Sequence, residues 1–332
     1  MAIKNPAFLF PGQGAQYQGM ALDILEAGGA AVKELFALAS EVMGRDMGTL
    51  IKEADEETLK RSDLSQPAIT LANLAAAVYL GEQGILPGAA AGFSLGEYAA
   101  LVTAGALDAE TCFRLVKERG KAMQDATDRL SRGGSAGGPA EPPGMAAIIG
   151  LDPEKVEALI AQWKAGGLSD LYGANFNSRS QVVVSGTAAA LAEAETRFKE
   201  AGARRVVRLQ VAGPFHSPLM SQAVEAFGPV LAATEFKNPS IPLFSNVSGS
   251  RISSGAEAKA LALRQITCPV RWTTEEGAIA ALDIDAVLET GPGKVLQGLW
   301  KDVETGIPCF AAGTAADIET LAGWRLEEKQ GA

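Results

Sequence analysis

Ser94 sits in Gly92-Phe93-Ser94-Leu95-Gly96, a Gly-x-Ser-x-Gly pentapeptide, and the 332-residue chain contains one histidine, His216. A serine hydroxyl is a poor nucleophile at neutral pH unless a base takes its proton, and with one imidazole in the chain the candidate base needs no choosing. The chemistry open to such a pair is acyl transfer through a serine ester. Each residue also has an ordinary explanation. A chain with 37 glycines can meet the pentapeptide by chance, and a lone histidine is commonly just hydrogen-bonded in a loop.

The surrounding text decides how much the pentapeptide means. Ala89 to Phe93 reads as a buried strand of small residues and Glu97 to Ala106 as an alanine- and leucine-rich helix, so Ser94 falls on the turn between them. There the flanking glycines allow close backbone packing, and the Leu95 N–H can point at a developing oxyanion. A comparable turn opens the chain: Phe8-Leu9-Phe10 is a strand candidate broken by Pro11-Gly12-Gln13-Gly14 ahead of a helix-like stretch from Met20 to Leu25. Such a loop can supply a second backbone N–H to an oxyanion hole, which pairs Gln13 with Leu95. Its third glycine, Gly19, comes too late for a dinucleotide fingerprint, and Gly291-Pro292-Gly293-Lys294 lacks phosphate-loop spacing, so neither a nicotinamide nor an ATP site is expected. His216 lies in the proline-bracketed loop Gly213-Pro214-Phe215-His216-Ser217-Pro218, where side chains can project over a neighbouring core.

Helical stretches at Leu71 to Leu80, Ala109 to Gln124 and Val295 to Lys301, with core-like strands at Leu243 to Asn246 and Ala286 to Glu289, alternate in the manner of a parallel α/β core. Ser131 to Gly144, rich in glycine and proline, reads as a surface loop and domain boundary. Beyond it come a strand at Met145 to Ile149, a helix at Pro153 to Trp163, strands at Leu171 to Phe176 and Gln181 to Ser185, a helix at Ala188 to Glu200 and a strand at Arg205 to Val211. That βαββαβ order is the ferredoxin-like split unit. The expected layout is therefore an α/β-hydrolase-like core with a parallel sheet from residues 1–130 and 206–332, a loop over 131–144, and an inserted ferredoxin-like small subdomain over 145–205.

A formal net charge of −10 argues against a nucleic-acid partner, which needs a surplus of Lys and Arg. The longest apolar tract, around Leu71 to Leu80, is interrupted by Asn73 and falls short of a membrane span, and the N-terminus shows no secretion signal. Cys112, Cys268 and Cys309 are odd in number, far apart and not at metal-ligand spacing with the histidine, so free thiols in a reducing cytoplasm and no bound metal are expected.

The chain resembles the malonyl-CoA:acyl carrier protein transacylases of fatty acid synthesis and the related acyltransferase domains of polyketide synthases. The resemblance runs through Phe10-Pro11-Gly12-Gln13-Gly14-Ala15-Gln16, Ser94-Leu95-Gly96-Glu97-Tyr98, Arg119-Gly120-Lys121-Ala122-Met123-Gln124, Phe215-His216-Ser217, Gln265 with Pro269-Val270-Arg271-Trp272, and Gly291-Pro292-Gly293-Lys294-Val295-Leu296. It implies a freestanding enzyme that moves a malonyl group from malonyl-CoA to the phosphopantetheine thiol of an acyl carrier protein by a ping-pong mechanism, without a metal or redox cofactor. It further implies that Ser94 is acylated, that His216 shuttles the proton, and that the N–H groups of Gln13 and Leu95 hold the oxyanion. By the same resemblance Arg119 grips the malonyl carboxylate, and a main-chain carbonyl near Gln265 orients the histidine. Without the motif, Arg119 would read as a solvated helix residue. Phe215 resembles the version of the loop whose ring excludes an α-methyl branch, although a buried aromatic there could merely pack. Phe93 departs from the family, which usually has histidine just before the nucleophile; the change bears on the pocket lining, acyl selectivity and hydrolysis. The loop over 131–144 is also longer than the family leads one to expect.

Two rival readings stay open at this level. An esterase or thioesterase would share the pentapeptide and the Ser-before-His order, but His216 lies far from the C-terminus and Arg119 has no role there. A non-catalytic acyl-carrier-binding protein would carry no acyl group on Ser94. Lys199, Arg204, Arg205 and Arg208 are a candidate basic patch for an acidic carrier; a solvated helix end and strand edge is the plainer account of them.

Overall fold

The computed structural model describes residues 3–132 and 141–330. Among them the strands, in chain order, are β1 (Ala7–Phe10), β2 (Ala89–Gly92), β3 (Gly144–Ile149), β4 (Leu171–Ser178), β5 (Gln181–Gly186), β6 (Arg205–Arg208), β7 (Phe244–Ser245), β8 (Ser250–Arg251), β9 (Val287–Glu289) and β10 (Cys309–Ala311). One sheet is wholly parallel, in the order β10-β9-β1-β2, and every residue of β1 and β2 is buried. Continuous apolar text such as Ala-Phe-Leu-Phe is what a strand covered on both faces requires. The helices Ser62–Glu82, Gly96–Thr103 and Ala109–Arg132 pack around one another beside this sheet.

The second sheet is antiparallel in the order β4-β5-β3-β6, the strand order of the ferredoxin-like split unit, with helices Pro153–Ala165 and Ala188–Glu200 over an apolar cluster of their own. It is tied to the core where β4 meets Val270: the Phe176 N–H donates to Val270 O and the Val270 N–H to Ala174 O, both at 2.8 Å.

Several boundaries differ from expectation. The antiparallel sheet keeps Arg205–Arg208 as its edge strand, so it runs past the limit expected at residue 205, and that strand ends at Arg208 rather than Val211. Most of the loop expected over 131–144 lies outside the described residues; on either side of the gap, helix Ala109–Arg132 continues through residue 132 and β3 begins at Gly144. The core strand expected at Leu243 to Asn246 is short. Leu243 bridges to Ala90 beside β2, and β7 then turns back on β8 as an antiparallel pair. The helix expected from Leu71 begins at Ser62 and carries Pro67 inside it, where the missing N–H costs a helix bond.

The nucleophile turn depends on its glycines for space. A Cβ on Gly96 would lie 2.0 Å from Phe10 O, and one on Gly92 would lie 2.0 Å from the Gly96 carbonyl carbon. By contrast, nothing stands within 4 Å of a Cβ on Gly277, inside helix Trp272–Ala280. Gly96→Ala should therefore lower unfolding stability by about 3 kcal/mol or more, whereas Gly277→Ala should raise it by about 0.5–1 kcal/mol. Urea denaturation of the two variants checks both signs.

Candidate active site

Ser94 occupies the turn between β2 and helix Gly96–Thr103 with φ of 50°, the left-handed region that a residue with a side chain enters at a cost of about 1–2 kcal/mol. From this position its Oγ stands 2.8 Å from His216 Nε2. The histidine loop is fixed from both sides: Ser185 Oγ on β5 donates to Phe215 O at 2.5 Å, and Ser217 Oγ donates to Pro214 O at 2.6 Å. His216 itself has φ of 56°.

His216 Nδ1 faces two main-chain carbonyls, Gln265 O at 2.9 Å and Cys268 O at 3.2 Å. A carbonyl only accepts, so Nδ1 carries the proton and Nε2 turns its lone pair toward the Ser94 hydroxyl. Two carbonyls thus stand where a hydrolase triad has a carboxylate. Burial, followed by the positive charge of Arg119, pushes the His216 pKa down to about 4, so the ring is a neutral acceptor at pH 7.

Arg119 is not on a solvated face. It is 1% exposed, donates from Nη1 to Gln66 Oε1 at 2.7 Å and from Nη2 to Gln265 Oε1 at 3.0 Å, and lies 5.4 Å from the centre of the Tyr98 ring. Its Nε has no partner among the described residues, and none of the ion pairs found there includes it. A buried cation bonded only to neutral amide oxygens calls for an anion.

Gln265 does more than lend its carbonyl. Its side chain accepts from Arg119 and donates through Nε2 to Ser94 O at 3.0 Å and to Glu97, so one residue touches nucleophile, base and cation. Burial raises the Glu97 carboxyl to about 7. The first loop lies against the nucleophile turn: a Cβ on Gly12 would come 2.3 Å from Phe93 O and 3.6 Å from Leu95 N. Asn73 Nδ2 donates to Pro11 O at 2.9 Å, and the Gln13 side chain donates to Lys60 O at 3.1 Å, which fixes the loop. Among the described residues no acceptor engages the N–H of Gln13 or of Leu95, which leaves both available to an oxyanion.

These groups line a cleft of about 230 Å³ between the two sheets. Gln13, Ser94, Leu95, Arg119 and His216 all border it, with Phe93 and Phe215. The antiparallel sheet closes it with Met145, Asn175, Asn177 and Val183. Phe93 packs edge-on against Trp272, with ring centroids 5.3 Å apart, and Phe215 is buried. Sequence reasoning missed Gln66, the side chain of Gln265, and Asn246, which accepts the Ser94 N–H. Asn246 left one trace, as an amide closing an apolar strand run; Gln66 left none.

With this geometry in view, the comparisons are decisive. A family model described as the acyl transferase domain matches residues 7–306. The chain belongs to the acyl transferase family. The malonyl CoA-acyl carrier protein transacylase of Bacillus subtilis is 38% identical to this acyltransferase over 331 residues, covering 99% of this chain and 100% of that one. A solved malonyl CoA-acyl carrier protein transacylase from Clostridium perfringens superposes with a TM-score of 0.88 at 32% identity, covering 99% of each chain. A malonyl-transacylase solved in complex with its type II polyketide acyl-carrier protein, AntF, gives a TM-score of 0.86 at 35% identity, covering 96% of this chain and 99% of that one.

The depressed His216 pKa has a kinetic signature. The acid limb of kcat/KM for acyl donors should fall near pH 4, where free-enzyme His216 becomes protonated, and not near the ordinary histidine value of about 6.5. Removing the cation in Arg119→Ala removes one of the two lowering causes, so the limb should move to higher pH. A pH–rate series with acetyl-CoA, which has no carboxylate to pair with a guanidinium, checks the direction of the shift.

Proposed function

We propose that this acyltransferase carries a malonyl group from malonyl-CoA to the phosphopantetheine thiol of an acyl carrier protein by way of an ester on Ser94. The observation that carries the reading is the buried Arg119 guanidinium, without a carboxylate partner among the described residues, in the same cleft as the Ser94–His216 pair. In the first half-reaction Ser94 Oγ attacks the thioester carbonyl while its proton passes to His216 Nε2. The resulting oxyanion meets the N–H groups of Gln13 and Leu95. Collapse expels the CoA sulfur, which takes the proton from His216. In the second half-reaction the carrier thiol gives its proton to His216 and attacks the ester, and Ser94 recovers its hydroxyl as it leaves.

The malonyl carboxylate supplies the anion that Arg119 lacks, and the planar guanidinium suits it with parallel N–H bonds. The bound carboxylate also offsets the Arg119 charge, which adds to burial in depressing His216, so the base strengthens somewhat when the right substrate is present. An acetyl group leaves the cation unpaired, at a cost on the order of a few kcal/mol. Phe215 narrows the cleft against an α-methyl branch, which favours malonyl over methylmalonyl, and Phe93 lines the same cleft. No step in this scheme calls for a metal or redox cofactor.

Cys112, Cys268 and Cys309 are free thiols, which supports a reducing cytoplasm as the place of action, and among the described residues no helix is long and apolar enough to cross a membrane. For the carrier, the patch reduces to fewer residues than the sequence suggests. Lys199 is paired with Glu195 at 2.7 Å and Arg208 donates to Ala188 O at 3.4 Å, whereas Arg204 and Arg205 are exposed and absent from the ion pairs among the described residues.

Intact-protein mass spectrometry after brief exposure to malonyl-CoA, acetyl-CoA and methylmalonyl-CoA tests the reading. The expected result is a malonyl adduct on the parent protein and none on Ser94→Ala; free acid without an adduct would point to a hydrolase. Joint reversal of Arg204 and Arg205 to Glu should raise the carrier KM by roughly tenfold and leave malonyl loading intact. Unchanged carrier kinetics would remove that surface from the account.

A further inference from the structure

Behind the nucleophile lie buried polar groups that the transfer scheme does not use: Asn246, just after β7, Glu275 in helix Trp272–Ala280, and Glu97 in helix Gly96–Thr103. Asn246 is fully buried, and its amide reaches both sides of Ser94. Oδ1 accepts from the Ser94 N–H at 2.6 Å, while Nδ2 donates to Gly92 O at 2.7 Å and to Glu275 Oε2 at 2.8 Å. The Ser94 N–H can only donate and Gly92 O can only accept, so the amide has one orientation. Its main chain is engaged as well: the Asn246 N–H donates to Glu97 Oε2 at 3.3 Å, and Asn246 O accepts from the Arg271 N–H at 2.8 Å.

Ser94 holds a backbone conformation that side-chain-bearing residues avoid, and such a conformation persists only where the surroundings over-determine it. Gln265 fixes the Ser94 carbonyl and Asn246 fixes its N–H. We propose that Asn246 is a positioning residue for acyl transfer, its side-chain amide clamping the Ser94 turn so that Oγ stays within hydrogen-bond reach of His216. The inference rests on the reading of Ser94 as nucleophile. It assigns Asn246 no contact with substrate; its effect passes through the serine backbone, where a displacement of about 1 Å is worth on the order of 10²-fold in rate.

Two substitutions separate this role from simple core packing. Asn246→Ala strands the Ser94 N–H and the Gly92 carbonyl. Asn246→Asp, when protonated, keeps the two bonds that hold the turn: its carbonyl oxygen accepts from Ser94 and its single O–H donates to Gly92 O, while the bond donated to Glu275 is lost. The introduced carboxyl would face Glu275, whose own carboxyl burial pushes well above the ordinary range, and Glu97, with Glu276 acting on Glu275 and Arg119 on Glu97. The acidic neighbours and burial favour the protonated form at low pH. Deprotonation would set an anion against the Gly92 carbonyl and lose the donor.

The experiment is single-turnover acylation by malonyl-CoA followed by intact mass, over about pH 6 to 9, with thermal melts to report the folded fraction. The expected result for Asn246→Ala is a loss of about 10²-fold in maximal acylation rate, with the half-saturating malonyl-CoA concentration changed by less than about threefold. Asn246→Asp should recover most of the rate at the acid end and lose it as pH rises, a fall that the parent does not show. Loading of Asn246→Ala at the parent rate would overturn the proposal. So would an Asn246→Asp variant that stays folded yet is as slow as Asn246→Ala at every pH. If the parent itself forms no adduct, the reading of Ser94 fails first, and the two failures are thereby told apart.

Discussion

A guanidinium taken almost wholly out of water is tolerable only if its hydrogen bonds are met and its charge finds a partner, and Arg119 meets the first condition in part and leaves the rest to a ligand. Gln66 and Gln265 supply neutral oxygens, Tyr98 supplies a ring face, and Nε has no partner within the described residues. The cation does two jobs from this place. As proposed, it selects an acyl group that ends in a carboxylate, and its charge adds to burial in lowering the pKa of the neighbouring histidine. In this reading substrate recognition and base strength are linked through that charge, with burial the larger influence on the base.

The fold serves this arrangement by bringing distant segments to one point. The parallel sheet delivers Gln13 and Ser94 at the ends of the adjacent strands β1 and β2. The antiparallel sheet delivers the far wall of the cleft and, through Ser185, holds the loop that carries His216. Gln265 then ties nucleophile, base and cation together through its main chain and its side chain. Strain at Ser94 is the counterpart of this precision, offset by neighbours that satisfy both its backbone groups.

Much of this was legible in the text of the chain. Strands with strong punctuation, such as Phe8-Leu9-Phe10 before Pro11-Gly12, and the βαββαβ run beyond residue 144 have local signals of period and turn chemistry. The pentapeptide and the lone histidine pointed to Ser94 and His216, which the structure brings to 2.8 Å, and the motif around Arg119 pointed away from a solvated helix position, in line with its burial. What escaped were contacts made only by tertiary approach. Gln66 is one polar residue in a long helix and nothing local marks it. Asn246 is separated from Ser94 by 152 positions, and its hydrogen bond exists only because Leu243 lines up beside β2. The strand after helix Ala188–Glu200 is legible as well, but the sequence does not show which sheet it joins: Arg205–Arg208 pairs with β3 as the edge of the antiparallel sheet, past the limit expected at residue 205.

If the unpaired charge of Arg119 makes the cleft specific for a carboxylate-bearing acyl group, removing it should erase the preference for malonyl over acetyl. The measurement that tests it most directly is the ratio of single-turnover Ser94 acylation rates for malonyl-CoA and acetyl-CoA, in the parent protein and in Arg119→Ala. A collapse of the ratio by about 10²-fold or more, with malonyl loading lost and acetyl loading largely kept, is the result this account predicts. An unchanged ratio would contradict it and would place selectivity elsewhere in the cleft.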